Sequence, residues 1–132
     1  MEAGQPFARC SWSDASWRNV NIPISPLILM TRDKHGVGMM VLSITSPGCQ
    51  GEADQEKSEA LAKRANDYMA DIVSKNPTRF QGYASVSMHD PTEAAQELTR
   101  AVKKLGLKGC MLNDCKVHVE ELTDSIRAVE WT

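Results

Sequence analysis

Met39-Met40-Val41-Leu42-Ser43-Ile44-Thr45 is an almost uninterrupted apolar run, opened by Gly36-Val37-Gly38 and closed by Ser46-Pro47-Gly48. Such a run between turn formers fits a strand buried on both faces, as inside a parallel sheet. Ser46-Pro47-Gly48 supplies the turn chemistry to end it. Beyond it, Leu61, Ala65, Tyr68, Met69 and Ile72 recur at helical spacing and predict one apolar stripe on a helix from about Gln55 to Lys75. Asp54 is its candidate N-cap. Asn76-Pro77 stops it, because proline disfavours helical geometry in the residue before it. Gly82-Tyr83-Ala84-Ser85-Val86-Ser87-Met88 reads as a second strand. Asp90-Pro91-Thr92-Glu93 then opens a helix: Asp90 caps, Pro91 takes the first position, and Glu93 falls at the capping-box position. Ala94, Leu98, Ala101, Val102 and Leu105 form its stripe, and Gly106-Leu107 has the pattern of a Schellman cap. Cys110-Met111-Leu112 is a short third strand. Strand, helix, strand, helix, strand is the order of a parallel sheet, which a doubly wound fold and a (β/α)8 barrel share.

The outer regions differ in texture. Residues 1–31 carry few charges and no lysine, hold Trp12, Trp17, Pro23 and Pro26, and show no periodicity, while residues 115–132 are charged and mixed. The expected organisation is an irregular flank over 1–31, a strand and helix segment over 32–114, and a tail over 115–132. At 132 residues, 42% hydrophobic and 24% charged, the chain has room for one domain with one core. A net charge of -2 leaves no basic field for a nucleic acid or an anionic membrane surface. Leu27-Ile28-Leu29-Met30 is far too short to span a bilayer and follows no basic region. Cys10, Cys49, Cys110 and Cys115 show no C-x-x-C pairing, and no secretory signal precedes them. Free thiols in the cytoplasm are therefore expected.

Val41-Leu42-Ser43-Ile44-Thr45-Ser46-Pro47-Gly48-Cys49-Gln50 resembles a segment of the dihydroxybenzoate and γ-resorcylate decarboxylases of the amidohydrolase superfamily, relatives of aminocarboxymuconate-semialdehyde decarboxylase. The likeness continues through Ala65-Asn66-Asp67-Tyr68, Pro77-Thr78-Arg79-Phe80 and Ser87-Met88-His89-Asp90-Pro91, and ends at Leu107-Lys108-Gly109-Cys110-Met111-Leu112-Asn113-Asp114. Each string alone is weak; their order and spacing over about residues 32–114 are specific.

The resemblance implies a partial (β/α)8 barrel, about strands 2–4, with irregular flanks. It also implies non-oxidative decarboxylation of hydroxylated aromatic or similar carboxylic acids. In that family a divalent metal, zinc or manganese in most members, binds the carboxylate and its neighbouring hydroxyl, an aspartate protonates the ring carbon, and carbon dioxide leaves. The family's ligands come from a Glu or His motif on the first strand, histidines on the fifth and sixth, and an aspartate on the eighth. None maps onto this chain: residues 1–31 hold one glutamate, Glu2, and no histidine. The chain is expected to bind no metal, to carry no catalytic residue and to be inactive alone. Neither flank resembles the family, and Trp12, Trp17 and Trp131 all lie there. A truncated reading frame and a genuine short protein both fit.

Ser43, Thr45, Ser46, Pro47 and Gly48, with Asn113 at the end of the third strand, are the substrate-binding candidates the resemblance implies. They lie where barrel enzymes keep their chemistry; simple turn chemistry accounts for the loop equally well. His89 also follows a strand, but a loop histidine beside the Asp90 cap explains it more simply. His118 and Glu120, with Cys115 near and Cys110 available, lack the rigid frame of a zinc site. His35 suits a helix end. Cys49 has no cationic neighbour in sequence to activate it, and Met39-Met40 reads as core filler. Glu56, Lys57, Glu59, Lys63 and Arg64 read as solvated surface. Arg100, Lys103 and Lys104 read as cations at a helix end.

Three readings of function follow. The chain belongs with the decarboxylases but lacks their catalytic residues; or it is a non-catalytic interaction protein pairing through an open sheet edge; or it is a hydrolase of the same superfamily. Ser46-Pro47-Gly48 and Ser87-Met88-His89-Asp90-Pro91 favour the decarboxylase branch. A small aromatic carboxylate is the ligand the resemblance implies for the full-length family. Three strands with two helices leave edges and one sheet face uncovered, so marginal stability and self-association are expected.

Overall fold

The computed structural model describes residues 26–113. Cys10, Cys115, His118, Glu120 and the three tryptophans lie outside the described residues. The elements run α1 (Pro26–Lys34), β1 (Met40–Leu42), α2 (Gln55–Lys75), β2 (Phe80–Gly82) and α3 (Pro91–Lys103), with a 3-10 turn at Gly48–Gly51 after β1. Helix α1 crosses the boundary expected between residues 31 and 32. Pro26 at its first position costs no hydrogen bond, and Gly36, with φ 68°, ends the segment just past His35.

β1 and β2 pair in parallel, with Met40 opposite Phe80, Val41 opposite Gln81 and Leu42 opposite Gly82. A third segment lies along the far side of β2. Lys108 N donates to Gly82 O, Ala84 N to Gly109 O, and Met111 N to Ala84 O, at 2.8–3.0 Å. Only the Ala84–Cys110 pair forms a ladder bridge there, so the expected third strand is a single parallel bridge. β1 is also shorter than the expected Met39–Thr45, and β2 starts two residues before the expected Gly82. The early start follows from the Asn76-Pro77 turn. Arg79 N and Phe80 N both close on Asn76 O, which delivers Phe80 directly into the ladder.

The expectation of a strand buried on both faces is corrected. Val41 is 52% exposed, while Leu42 and Ile44 pack on the core. Among the described residues helices cover one sheet face, and a parallel strand is buried twice only where both faces are covered. Met39, 51% exposed, is not core filler for the same reason.

Both N-caps form as expected. Asp54 Oδ1 accepts from Lys57 N at 3.0 Å, and Asp90 Oδ1 accepts from Thr92 N and Glu93 N at 2.7 and 3.2 Å. Gly106 turns left-handed at φ 74°, and Leu107 N reaches Ala101 O at 3.0 Å, one residue further back than a Schellman bond would run. The core joins Met69 of α2 to Ala84 and Val86 after β2, Ala94, Leu98 and Ala101 of α3, and Leu107. Phe80 is fully buried, and burying a side chain of that size contributes about 2–3 kcal/mol. A Cβ on Gly82 would lie 2.5 Å from Met69 Cγ, so glycine is what lets α2 approach β2.

The buried stripes differ from the expected ones. On α2 they are Ser58, Ala62, Ala65, Asn66 and Met69, with Leu61, Tyr68 and Ile72 only half-buried; on α3 Ala95 and Glu97 join Ala94, Leu98 and Ala101. At the N-terminal end of the strands Arg32 is buried. Its Nε and Nη2 donate to Val37 O and Gly38 O at 2.7 Å each, and its guanidinium lies 5.9 Å above the Phe80 ring. Arg79 pairs with Asp33 beside it. One side chain thus ties α1 to the entrances of β1 and β2.

Candidate functional site

In a parallel sheet every strand points the same way, so the segments following the strands gather at one end. Here the loop after β1, the segment after β2 and the end of the third segment meet. The Ser46-Pro47 peptide is cis, and Gly48 has φ 57°, which glycine adopts without steric cost. The 3-10 turn that follows buries Cys49 and is anchored on two sides. Cys49 Sγ donates to Val86 O at 3.3 Å, and buried Ser58 on α2 donates its hydroxyl to Cys49 O at 2.7 Å. Cys49 is therefore a packed anchor. Cys110 is a free thiol whose pKa burial pushes up.

The turn also reaches the third segment. Gln50 Oε1 accepts from Asn113 N at 3.0 Å, and Asn113 Nδ2 approaches Pro47 O at 3.5 Å. Of the sequence candidates, Pro47 and Asn113 are therefore brought together and half-buried. Gly48 is half-buried beside Pro47, and Ser43, Thr45 and Ser46 are exposed. His89 is exposed and bonds through Nε2 to Glu52 O at 2.8 Å. A carbonyl only accepts, so Nε2 carries a proton and is committed to holding the two loops together.

Behind this end lies a polar cluster that the apolar-stripe reading does not find. Asn66, 1% exposed, donates through Nδ2 to Ser85 O at 2.9 Å and to Glu97 Oε1 at 2.7 Å, and accepts from Ser85 N at 2.7 Å. Glu97, 5% exposed, receives Arg100 Nε and Nη2 at 2.8 Å each, and Arg100 Nη1 reaches Asp67 Oδ1 at 2.7 Å. The bond to Glu97 first, and then that to Asp67, hold the Arg100 guanidinium protonated more firmly than usual. Arg100 is thus a cross-helix tie and not only a cation near a helix end. The sequence signal for the cluster is faint: Ser58, Ala62 and Asn66 fall on one helical face.

Among the described residues no group of three His, Cys, Asp or Glu side chains is placed to hold a metal ion. The donor set of the described residues does not fit such a centre. No helix among the described residues is long and apolar enough to cross a membrane.

A family profile described as Amidohydrolase matches residues 33–126. The chain belongs to the amidohydrolase family. This amidohydrolase chain is 42% identical over 102 residues to the gamma-resorcylate decarboxylase of Polaromonas sp. (strain JS666 / ATCC BAA-500), a stretch that is 77% of this chain and 31% of that protein. Among solved structures it is similar to the dihydroxybenzoic acid decarboxylase from Polaromonas sp. JS666 with bound manganese and the inhibitor 2-nitroresorcinol. The TM-score is 0.67 at 39% identity, covering 76% of this chain and 31% of that one. It is also similar to the 5-carboxyvanillate decarboxylase from Novosphingobium aromaticivorans DSM 12444, complexed with manganese and 4-hydroxy-3-methoxy-5-nitrobenzoic acid. There the TM-score is 0.72 at 35% identity, covering 78% and 30%. The amidohydrolase chain thus spans about a third of the length of the relatives it matches. The solved neighbours are TIM-barrel amidohydrolases, and the described part of this chain is a small α/β unit with a two-stranded parallel sheet.

Proposed function

We propose that this chain supplies one wall of the substrate site of a non-oxidative carboxy-lyase acting on hydroxylated aromatic acids, and that its strands correspond to strands 2–4 of a (β/α)8 barrel. The wall consists of Ser43, Thr45, Ser46, Pro47, Gly48 and Asn113. The observation that carries this reading is the meeting of Pro47 and Asn113 at the end where the parallel strands finish, the end at which barrel enzymes act. The exposed hydroxyls of Ser43, Thr45 and Ser46 and the Asn113 amide offer donors to carboxylate and phenol oxygens. Solved relatives carry manganese; a divalent metal in such a site would supply an electrostatic clamp. Cys49 and Cys110 form no disulfide among the described residues, in keeping with a cytoplasmic setting.

The test is a titration of the 132-residue chain with 2,6-dihydroxybenzoate, followed by backbone amide NMR, with carbon dioxide release measured in parallel with and without manganese. Shifts centred on residues 43–48 and 113, without release of carbon dioxide, are expected. Shifts elsewhere, or none, would refute the reading. Metal-dependent release would show that donors outside the described residues assemble a centre.

A second reading, pairing through the edge of β1 that no strand covers among the described residues, is favoured by the exposure of Met39 and Val41, 51% and 52%. Sedimentation velocity separates the two, because a pairing protein associates whether or not the ligand is present.

A further inference from the structure

The 3-10 turn is fixed from below: buried Ser58 holds Cys49 O, and Cys49 Sγ holds Val86 O. Gln50 is the next residue, so its backbone is carried by that anchor. Its side-chain oxygen points across the loop to Asn113 N at 3.0 Å, a full-strength distance. The return contact, from Asn113 Nδ2 to Pro47 O, is at 3.5 Å and is too long to hold Asn113 unaided. Sixty-three residues of sequence separation between Gln50 and Asn113 are thereby spanned by one hydrogen bond.

We propose that Gln50 is a positioning residue, holding Asn113 in register with Pro47 so that both present to one hydroxylated aromatic carboxylate. This rests on the reading of that face as the substrate's. Gln50 itself need touch no ligand: its oxygen is committed to the Asn113 amide, and what it sets is where the Asn113 side chain starts.

The test uses the whole chain with Gln50→Leu, which removes the acceptor, and Gln50→Glu, which keeps it, and reads amide exchange at Asn113 and the affinity for 2,6-dihydroxybenzoate. Gln50→Leu is expected to speed Asn113 exchange about five- to tenfold, the effect of losing one ordinary hydrogen bond, and to weaken binding in step, with Gln50→Glu restoring the slow exchange. Equal melting temperatures separate this from a general loss of structure. Unchanged exchange in Gln50→Leu, or failure of Gln50→Glu to restore it, would overturn the proposal. Wild-type chain that does not bind the ligand, while exchange still follows the acceptor, would overturn the substrate reading and leave the tie standing.

Discussion

Asn66 holds Ser85 by both of its backbone groups: its Oδ1 accepts from the Ser85 amide at 2.7 Å and its Nδ2 donates to the Ser85 carbonyl at 2.9 Å. A helix side chain here does what a neighbouring strand would do for the segment after β2. Asn66→Ala removes both bonds and the one to Glu97. With roughly 1–3 kcal/mol for each buried polar group left unpaired, a loss of about 3 kcal/mol is expected in urea unfolding. Ser85→Ala keeps the backbone groups and is expected to cost much less. Equal losses in the two variants would contradict this account.

Gly82 lets α2 pack close against the sheet. Gly82→Ala places a methyl 2.5 Å from Met69 Cγ, and overpacking of that kind costs about 1–3 kcal/mol. Shortening Met69 to Ala should recover part of the loss, so a double-mutant cycle is expected to show favourable coupling. Strict additivity would mean that the clash is relieved elsewhere.

Cys110 gives stability an alkaline limb. Burial raises its thiol pKa above the ordinary 9.0. The unfolded chain therefore releases this proton first as pH rises. Below pH 9.0 both states hold the proton and nothing changes; above it the unfolded state binds fewer protons and stability falls until the folded thiol ionises too. Urea midpoints from pH 7.5 to 10.5 should fall less steeply for Cys110→Ala than for wild type. Parallel curves would remove Cys110 from the account.

Val41 stands 52% exposed at the centre of a strand that, among the described residues, has β2 on one side and no strand on the other. Val41→Lys puts a charge on that face, which opposes edge-to-edge pairing. Sedimentation is expected to show less association for the variant than for wild type, with little change in unfolding of the monomer. An unchanged distribution would place any association elsewhere.

What was legible in the sequence was mostly local. The Asp54 and Asp90 caps and the left-handed Gly106 each depend on residues within one turn, and each forms. The resemblance strings carried the family. The exposure of Val41 is not legible, because it depends on what covers the sheet. Ser58, Asn66 and Glu97 escape an apolar-stripe reading because their partners are backbone groups and side chains far along the chain: Asn66 meets Glu97 across 31 residues. The Pro47–Asn113 contact spans 66 residues and has no local signature. The candidate loop could be located from its turn residues, but its anchors, Gln50 and Ser58, could not.

Arg32 and Asn113 stand at opposite ends of the same short sheet. The Arg32 end is knotted by a buried cation into the backbone of both strand entrances, whereas the other end meets solvent through Ser43, Thr45 and Ser46. Such an arrangement separates what must stay from what is free to vary. The exposed hydroxyl positions can be exchanged for other chemistries at small cost to folding, while a change at Arg32 would be felt by every strand at once. A scaffold of this kind can be altered at one end without being rebuilt.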